Sequence, residues 1–148
     1  MEIRELDPTR EMDEWLRLRQ GLFDDSSEAE HRQEMAEILA EEAGCVLVAE
    51  RPSLNQLAGY IFVGTRKYAE GCTASPVAYL EEWFVDADMR RHGVGRALIV
   101  AAEVWARQNG YTELASDTTI DNNISLATHL ALGFTEVERQ INFIKKLD

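Results

Sequence analysis

A short glycine-containing stretch carries the strongest chemical signal of the sequence. It reads RRHGVGRAL over residues 90–98 and places two glycines behind a basic pair, just before an apolar helical pattern. Glycine lets a ligand come close to the backbone, and the unpaired amides of a helix's first turn attract anions. The stretch therefore predicts a site for phosphate groups at the start of a helix.

Three phosphate-binding patterns compete for these residues. A mononucleotide P-loop needs Lys and then Ser or Thr after its second glycine, but Arg96 and Ala97 follow Gly95. A dinucleotide fingerprint is weak, because Leu98 stands where its third Gly or Ala belongs. The third pattern, R/Q-x-x-G-x-G/A, cradles pyrophosphate in acyl-CoA-dependent N-acyltransferases, and residues 90–95 satisfy it. A tight loop that merely starts an ordinary helix remains the alternative.

Carboxylates near predicted strand ends are the second group of candidates. Glu81 and Glu82 are adjacent in one predicted strand, so we expect their side chains on opposite faces and only one of them in a given cleft. Asp117 ends a strand before a helix, where an N-cap role is as reasonable as a functional one. For Glu138 an exposed position in a closing strand is the default expectation.

Composition favours a cationic partner. The 148 residues carry 27 acidic side chains against 15 Lys and Arg, a formal charge of -12. Such a charge repels nucleic acid and anionic membranes, although acidity can also serve solubility alone. The length suits a single domain, residues 1–148, and we expect a cytoplasmic protein because the sequence shows neither a signal peptide nor a membrane span. Cys45 and Cys72 lack the spacing of a metal site, so we expect no metal and no disulfide.

The elements that must position these residues follow from hydrophobic periodicity and from helix and turn signals. We predict a strand at 3–6, a helix from Asp7-Pro8 to about Phe23, a second helix from a Ser27/Glu30 capping box to Gly44, a hairpin of strands 45–50 and 57–66, a strand at 77–85, a helix from the glycines to Asn109-Gly110, a strand at 112–117, a helix at 122–133 and one or two closing strands within 135–147. This order predicts an α/β fold with a mixed sheet, helices on both faces and a crossover between strands 77–85 and 112–117.

Further segments extend the match beyond the glycines. An Asn-containing helix closes with LGF (132–134), and the chain also contains SPVAYLEEWFV (75–85), AEVWA (102–106), ASDTTIDNNIS (115–125) and LGFTEVER (132–139). On these segments the sequence resembles the GNAT superfamily of N-acyltransferases and, within it, the aminoglycoside 6'-N-acetyltransferases. The resemblance implies a GNAT-type sheet splayed at its long strand, acetyl-CoA as cosubstrate, and antibiotic resistance by acetylation of a cationic 6'-amine.

The resemblance also implies roles for individual residues. Its substrate carboxylates fall on Glu81, Asp117 and Glu138, and its aromatic contacts fall on Tyr68 and on Phe23, where relatives often have tryptophan. The implied cofactor contacts are Trp83, Phe84, Val85, Arg90, Arg91, His92, Gly93, Val94, Gly95, Arg96 and Asn122.

A direct transfer mechanism follows from the same resemblance. An aliphatic ammonium must lose its proton before it attacks a thioester, and Glu81 is the candidate to hold it and relay the proton, although it can equally serve only to position the sugar. A backbone N–H near Phe84 or Val85 would stabilise the oxyanion. His129 stands where many relatives have a tyrosine that protonates the thiolate, but a lone helical His is more often a packing or surface residue.

Two other functions stay open at this point. A GNAT enzyme for another cationic amine, such as a polyamine, a protein N-terminus or a lysine, fits the acidity equally well. A non-catalytic acyl-CoA-binding module would keep the glycines without the chemistry. The resemblance also suggests a homodimer in which the closing strands pair across the interface.

Overall fold

The architecture is a single twisted sheet flanked by helices. The computed structural model describes residues 1–52 and 55–148. Its elements are β1 (Ile3–Glu5), α1 (Met12–Leu22), α2 (Glu28–Ala40), β2 (Cys45–Glu50), β3 (Leu57–Arg66), β4 (Val77–Val85), a 3-10 turn (Ala87–Met89), α3 (Val94–Gln108), β5 (Leu114–Ala115) and α4 (Asn123–Ala131). The predicted hairpin loop includes residues 53 and 54, which lie outside the described residues.

The sheet is mixed, as predicted, in the order β1-β2-β3-β4-β5. The first four strands pair antiparallel, and β5 runs parallel to β4. The β4/β5 pairing involves only Ala78↔Leu114 and Tyr79↔Ala115. The last part of β4 therefore separates from β5, which confirms the predicted splay at the long strand.

Helices cover both faces of the sheet and bury two apolar clusters. On one face Leu98, Ile99 and Ala102 of α3 pack against Ile61 and Leu80. On the other face Trp15 and Leu18 of α1 and Met35 of α2 pack with Tyr60 and Phe62. Burial of these apolar side chains is the dominant force that holds the layers together.

A bulge in β4 overturns one prediction about its carboxylates. Phe62 pairs with Glu82 while Val63 pairs with Leu80, so Glu81 is an extra residue without a partner in β3. The insertion reverses the alternation of side chains: Glu82 contacts Tyr60, and Glu81 lies beside the position that a Cβ on Gly64 would occupy. Glu81 and Glu82 therefore share the face that α1 and α2 cover, and the expected opposite faces are wrong.

The first helix begins later than predicted. Asp7 forms a turn, in which its carboxylate accepts hydrogen bonds from the Thr9 amide and from Arg10, and α1 starts at Met12. The second helix begins as predicted, because Ser27 and Glu30 form a complete capping box. The third ends at Gln108, with Asn109 as its C-cap and Gly110 after it at a φ of 84°.

The closing strands are not found among the described residues. Residues 134–148 have neither helix nor strand, and Ile141, Phe143, Ile144 and Leu147 are each more than 80% exposed. A β-strand needs a neighbour for its backbone hydrogen bonds, and the described sheet ends at β5. In the described part of the chain, no helix combines the length and hydropathy that crossing a membrane requires.

Candidate active site

The glycine stretch forms the start of α3. Gly93 is the N-cap residue with a φ of 81°, and Arg91, two residues before it, also has a positive φ, 66°. No side chain caps this helix, so its first-turn amides remain available to a ligand. A Cβ added to Gly93 would meet no described heavy atom within 4 Å. This loop leaves a positively polarised helix end open to an anion.

Trp83 lies directly beneath that helix start. A Cβ added to Gly95 would lie 3.2 Å from the Trp83 ring, so glycine permits the close packing of α3 on β4. The Trp83 Nε1 atom is buried and has no hydrogen-bond partner among the described residues. A buried donor without a partner, next to free helix amides, fits a site for a polar ligand such as the pyrophosphate and pantetheine of acyl-CoA.

The end of β4 offers a backbone donor on its open edge. The Asp86 amide donates to the carbonyl of Ala58 in β3 at 2.8 Å. Because successive backbone groups of a strand point to opposite sides, Val85 turns its N–H and C=O away from β3. The Val85 carbonyl accepts a hydrogen bond from Arg90 Nε at 2.9 Å, and its N–H faces the gap that opens between β4 and β5.

Two of the predicted carboxylates belong to one chain of contacts. The Glu81 carboxylate accepts hydrogen bonds from Arg66 Nε and Nη2, both at 2.8 Å. The Arg66 guanidinium lies 3.5 Å from the centre of the Tyr79 ring. Tyr79 in turn donates its hydroxyl hydrogen bond to Asp117. Glu81 and Asp117 are thus linked through Arg66 and Tyr79.

These contacts also move pKa values. The hydrogen bond to Glu81 raises the pKa of Arg66, so this guanidinium is permanently charged. Burial, followed by the hydrogen bond to Asp117, raises the pKa of Tyr79 well above its usual range. Tyr79 is therefore a neutral donor at any physiological pH.

The neighbouring carboxylate, Glu82, belongs to a different and buried network. Arg19 is 0% exposed and donates to both Glu82 oxygens, and Tyr60 donates to Glu82 at 2.7 Å. Arg19 also donates to Glu34 and, at 3.3 Å, to His31 Nδ1. Burial, followed by the charge of Glu82, raises the pKa of Tyr60. Glu82 therefore serves the packing of α1 and α2 on the sheet.

A groove of about 1060 Å³ opens between β4, β5, α4 and the closing segment. Asp117, His129 and Glu138 line it together with Arg66 and Tyr79. Its lining includes seven carboxylates, from Glu70, Glu103, Glu113, Asp117, Asp121, Glu136 and Glu138, against the two cations Arg66 and Arg139. The groove therefore favours a cationic ligand. Among the described residues no group of three or more His, Cys, Asp or Glu is arranged to hold a metal.

His129 makes hydrogen bonds with both of its ring nitrogens. Nδ1 lies 2.8 Å from the Ser125 carbonyl, which can only accept, and Nε2 lies 2.8 Å from the Ser116 hydroxyl. The Nδ1 atom therefore carries a proton, and Nε2 shares a hydrogen bond with the Ser116 hydroxyl, which can donate or accept. The ring also packs edge-on against Trp83 and Phe134. His129 is placed near the predicted cofactor strand but is fully hydrogen-bonded inside the protein.

The other predicted residues lie outside the lining of this groove. Phe23 follows α1, where its carbonyl accepts a hydrogen bond from His31 Nε2. Tyr68 lies after β3 and is 69% exposed. Asn122 caps α4 by accepting from the Ser125 amide, so the N-cap role considered for Asp117 belongs to Asn122. Their ligand contacts stay predictions.

Comparison with known proteins gives the class of the chain. The family model described as the Acetyltransferase (GNAT) family matches residues 10–134. The chain therefore belongs to the GNAT acetyltransferase family, which confirms the predicted superfamily and fold.

Particular relatives narrow this class. The chain is 45% identical over 136 residues to aminoglycoside N(6')-acetyltransferase type 1 of Klebsiella aerogenes. The aligned region covers 90% of this chain and 89% of the relative. It superposes with a TM-score of 0.91 and 41% identity on the apo aminoglycoside 6'-N-acetyltransferase AAC(6')-IG of Acinetobacter haemolyticus, over 100% of both chains. A third match is AAC(6')-Iy in complex with the bisubstrate analog CoA-S-monomethyl-acetylneamine, at a TM-score of 0.90 and 34% identity over 99% of this chain and 98% of that one. These findings confirm the predicted resemblance to aminoglycoside 6'-N-acetyltransferases.

Sequence reasoning missed Arg66 and Tyr79. Tyr79 reads as an ordinary strand residue, and Arg66 reads as the polar end of a hairpin strand. Their proximity to Glu81 depends on the register between β3 and β4 and on the bulge, which no local pattern reveals. The alternation of side chains along a strand could have placed Tyr79 on the same face as Glu81, since the two are two residues apart.

Proposed function

We propose that the protein transfers the acetyl group of acetyl-CoA directly to the 6'-amino group of aminoglycoside antibiotics and thereby confers resistance. The observation that carries this proposal is the pairing of an open helix start with a groove in which carboxylates far outnumber cations. Relatives at 35–45% identity bear the corresponding name. A polyamine sugar matches such a groove because several ammonium groups meet several carboxylates at once.

Residues 90–96 and the end of β4 would hold the cofactor. The amides after Gly93 and the side chains of Arg90, Arg91, His92 and Arg96 suit its pyrophosphate, and Val94 fixes the helix start through its burial in the core. Trp83, Phe84 and Val85 would line its pantetheine arm along the open edge of β4, with Asn122 beside it. When bound, acetyl-CoA supplies the thioester that the amine attacks.

The Val85 N–H is our choice as oxyanion donor. It points into the gap between β4 and β5. The Asp86 amide donates to β3, and the Phe84 amide, two residues earlier, points to the same side and is therefore directed toward β3 as well. A backbone donor fixed by a strand needs no reorganisation as negative charge develops on the thioester oxygen.

Glu81 would hold the 6'-ammonium and take its proton, directly or through water. Asp117 and Glu138 would bind other ammonium groups of the sugar, and Phe23 and Tyr68 would contact its rings. The bulge at Glu81 supports this assignment, because bulges redirect side chains next to active sites. Protonated on both ring nitrogens, His129 would pass its Nε2 proton to the Ser116 hydroxyl, 2.8 Å away, while that hydroxyl gives its own proton to the departing thiolate.

The closing segment, residues 134–148, supports a homodimer. Ile141, Phe143, Ile144 and Leu147 are all more than 80% exposed, and a run of exposed apolar side chains is typical of a protein interface. A second copy of the chain would pair with this segment. Sedimentation should give twice the chain's 16.8 kDa, and a monomer at micromolar concentration would contradict the dimer. We also propose a cytoplasmic location, where acetyl-CoA is supplied by metabolism.

A CoA-release assay tests the proposed function. Kanamycin and tobramycin are offered beside spermidine and a lysine peptide, each with acetyl-CoA. We expect turnover with the two aminoglycosides. Turnover with spermidine or the peptide alone would reveal a GNAT enzyme for another amine, and calorimetric binding of the cofactor without any turnover would reveal a non-catalytic module.

A further inference from the structure

Arg66 stands between the two carboxylates of the proposed site. Both of its contacts to Glu81 measure 2.8 Å and involve different carboxylate oxygens. Such a fork is the strongest arrangement in which arginine binds a carboxylate. The guanidinium plane also rests on Tyr79, 3.5 Å from the ring centre. Arg66 therefore occupies both oxygens of Glu81, to which an incoming cation would also bind.

Arg66 and Arg139, the two arginines that line the groove, differ in the carboxylates with which they pair. Arg139 already pairs with Glu136, three residues before it on the same segment. Arg66 instead reaches across from β3 to β4, and its side chain keeps 43% of its exposure while Glu81 keeps 27%. Because both side chains stay partly exposed, solvent screens this ion pair, and a second cation can reach it.

We propose that Arg66 sets the affinity of the site for an amine at the 6' position by acting as a displaceable stand-in for the substrate ammonium, with which the amine competes for Glu81. The proposal rests on the proposed function. In the free protein the Arg66 guanidinium neutralises Glu81. An ammonium that arrives at Glu81 is a like charge within a few ångströms of the guanidinium, so the amine and the arginine compete for the same two oxygens. A ligand with a neutral group at this position has nothing with which to displace it.

A matched pair of ligands tests this exchange. Neomycin and paromomycin differ at the 6' position, which carries an amine in the first and a hydroxyl in the second. With Arg66→Gln, no competing cation remains at Glu81, and we expect neomycin to bind about three- to tenfold more tightly by calorimetry. Paromomycin should change by less than about twofold, because it never displaces the arginine.

Two further variants control the experiment. Arg32→Gln removes an arginine of similar exposure, 44%, which pairs with Asp13 away from the site. This variant should bind neomycin and paromomycin as the wild type does. Tighter binding of neomycin by it would indicate a general effect of net charge. Arg66→Lys keeps the charge but loses the fork, and we expect an intermediate affinity for neomycin. It also provides a test if the glutamine variant melts early.

The outcomes separate the two proposals. If the wild type neither binds nor acetylates neomycin, the proposed function is wrong. If the wild type acetylates neomycin but Arg66→Gln binds it equally or more weakly, or tightens paromomycin to the same degree, the role of Arg66 alone is overturned. A loss of kcat without a change in affinity would also overturn it, because Arg66 would then assist the chemistry.

Discussion

Glu81 and Glu82 are adjacent carboxylates on the same face of β4, yet their surroundings differ. Glu82 keeps 11% of its side-chain exposure and is held by Arg19 and by Tyr60. Glu81 keeps 27% and contacts one arginine that is itself half exposed. A carboxylate enclosed by buried donors stabilises the fold, whereas one with a single exposed partner remains able to exchange it for a ligand.

The largest effect should come from Glu82→Ala. This change removes one of the two carboxylates that pair with Arg19, which is 0% exposed, and leaves it with Glu34, a half-exposed partner. Breaking a buried ion pair by removing one partner costs about 3–5 kcal/mol. Urea unfolding should show a loss of this size in the free energy of unfolding. Glu50→Ala is the control, because Glu50 has one arginine partner, Arg4 at 3.5 Å, and it should change stability by no more than about 0.5 kcal/mol. Equal small losses for Glu82→Ala and Glu50→Ala would show that the buried network around Glu82 does not stabilise the fold.

Glu81→Gln should act on activity and leave the fold intact. The glutamine keeps the shape of the side chain but cannot accept the proton of the 6'-ammonium, so kcat/KM for tobramycin should fall about 100-fold. The free energy of unfolding should stay within about 1 kcal/mol of the wild type. Glu50→Gln should leave kcat/KM unchanged. Wild-type turnover by Glu81→Gln would exclude Glu81 as the proton acceptor.

The smallest effects should come from the two tyrosines that donate to acidic partners. Tyr60→Phe removes a donor to Glu82 and should lower the free energy of unfolding by about 1 kcal/mol, with little change in KM.

Tyr79→Phe removes the donor that orients Asp117. It should raise KM for tobramycin about threefold, a change worth less than 1 kcal/mol, and leave KM for acetyl-CoA unchanged. Steady-state kinetics and urea unfolding of both variants check the pair, and interchanged effects would contradict it.

Local patterns predicted most of the fold. The observed bounds of β2, β3 and β4 equal the predicted ranges, because continuous apolar runs end at turn residues. The Ser27 capping box and the stop at Gly110 are equally local signals. The start of α1 was wrong because Asp7 can cap either a turn or a helix, and sequence alone does not choose between them. The closing strands were wrong for a different reason, since an alternating pattern does not supply a partner strand.

The site was less predictable than the fold. The resemblance gave Glu81 and Asp117 as substrate carboxylates, which stays a prediction, while the rule of alternation misplaced Glu81 relative to Glu82. One inserted residue in β4 reverses that rule. Arg66 escaped notice because its contact with Glu81 spans 15 residues of sequence and depends on strand register.

The most direct test of the account is the position of the acetyl group. The protein is incubated with acetyl-CoA and tobramycin, and the product is examined by mass spectrometry and NMR. If Glu81 receives the 6'-ammonium while the groove binds the rest of the sugar, the product carries a single acetyl group on the 6' nitrogen. Acetylation at another amine, or no acetylated tobramycin at all, would contradict the account.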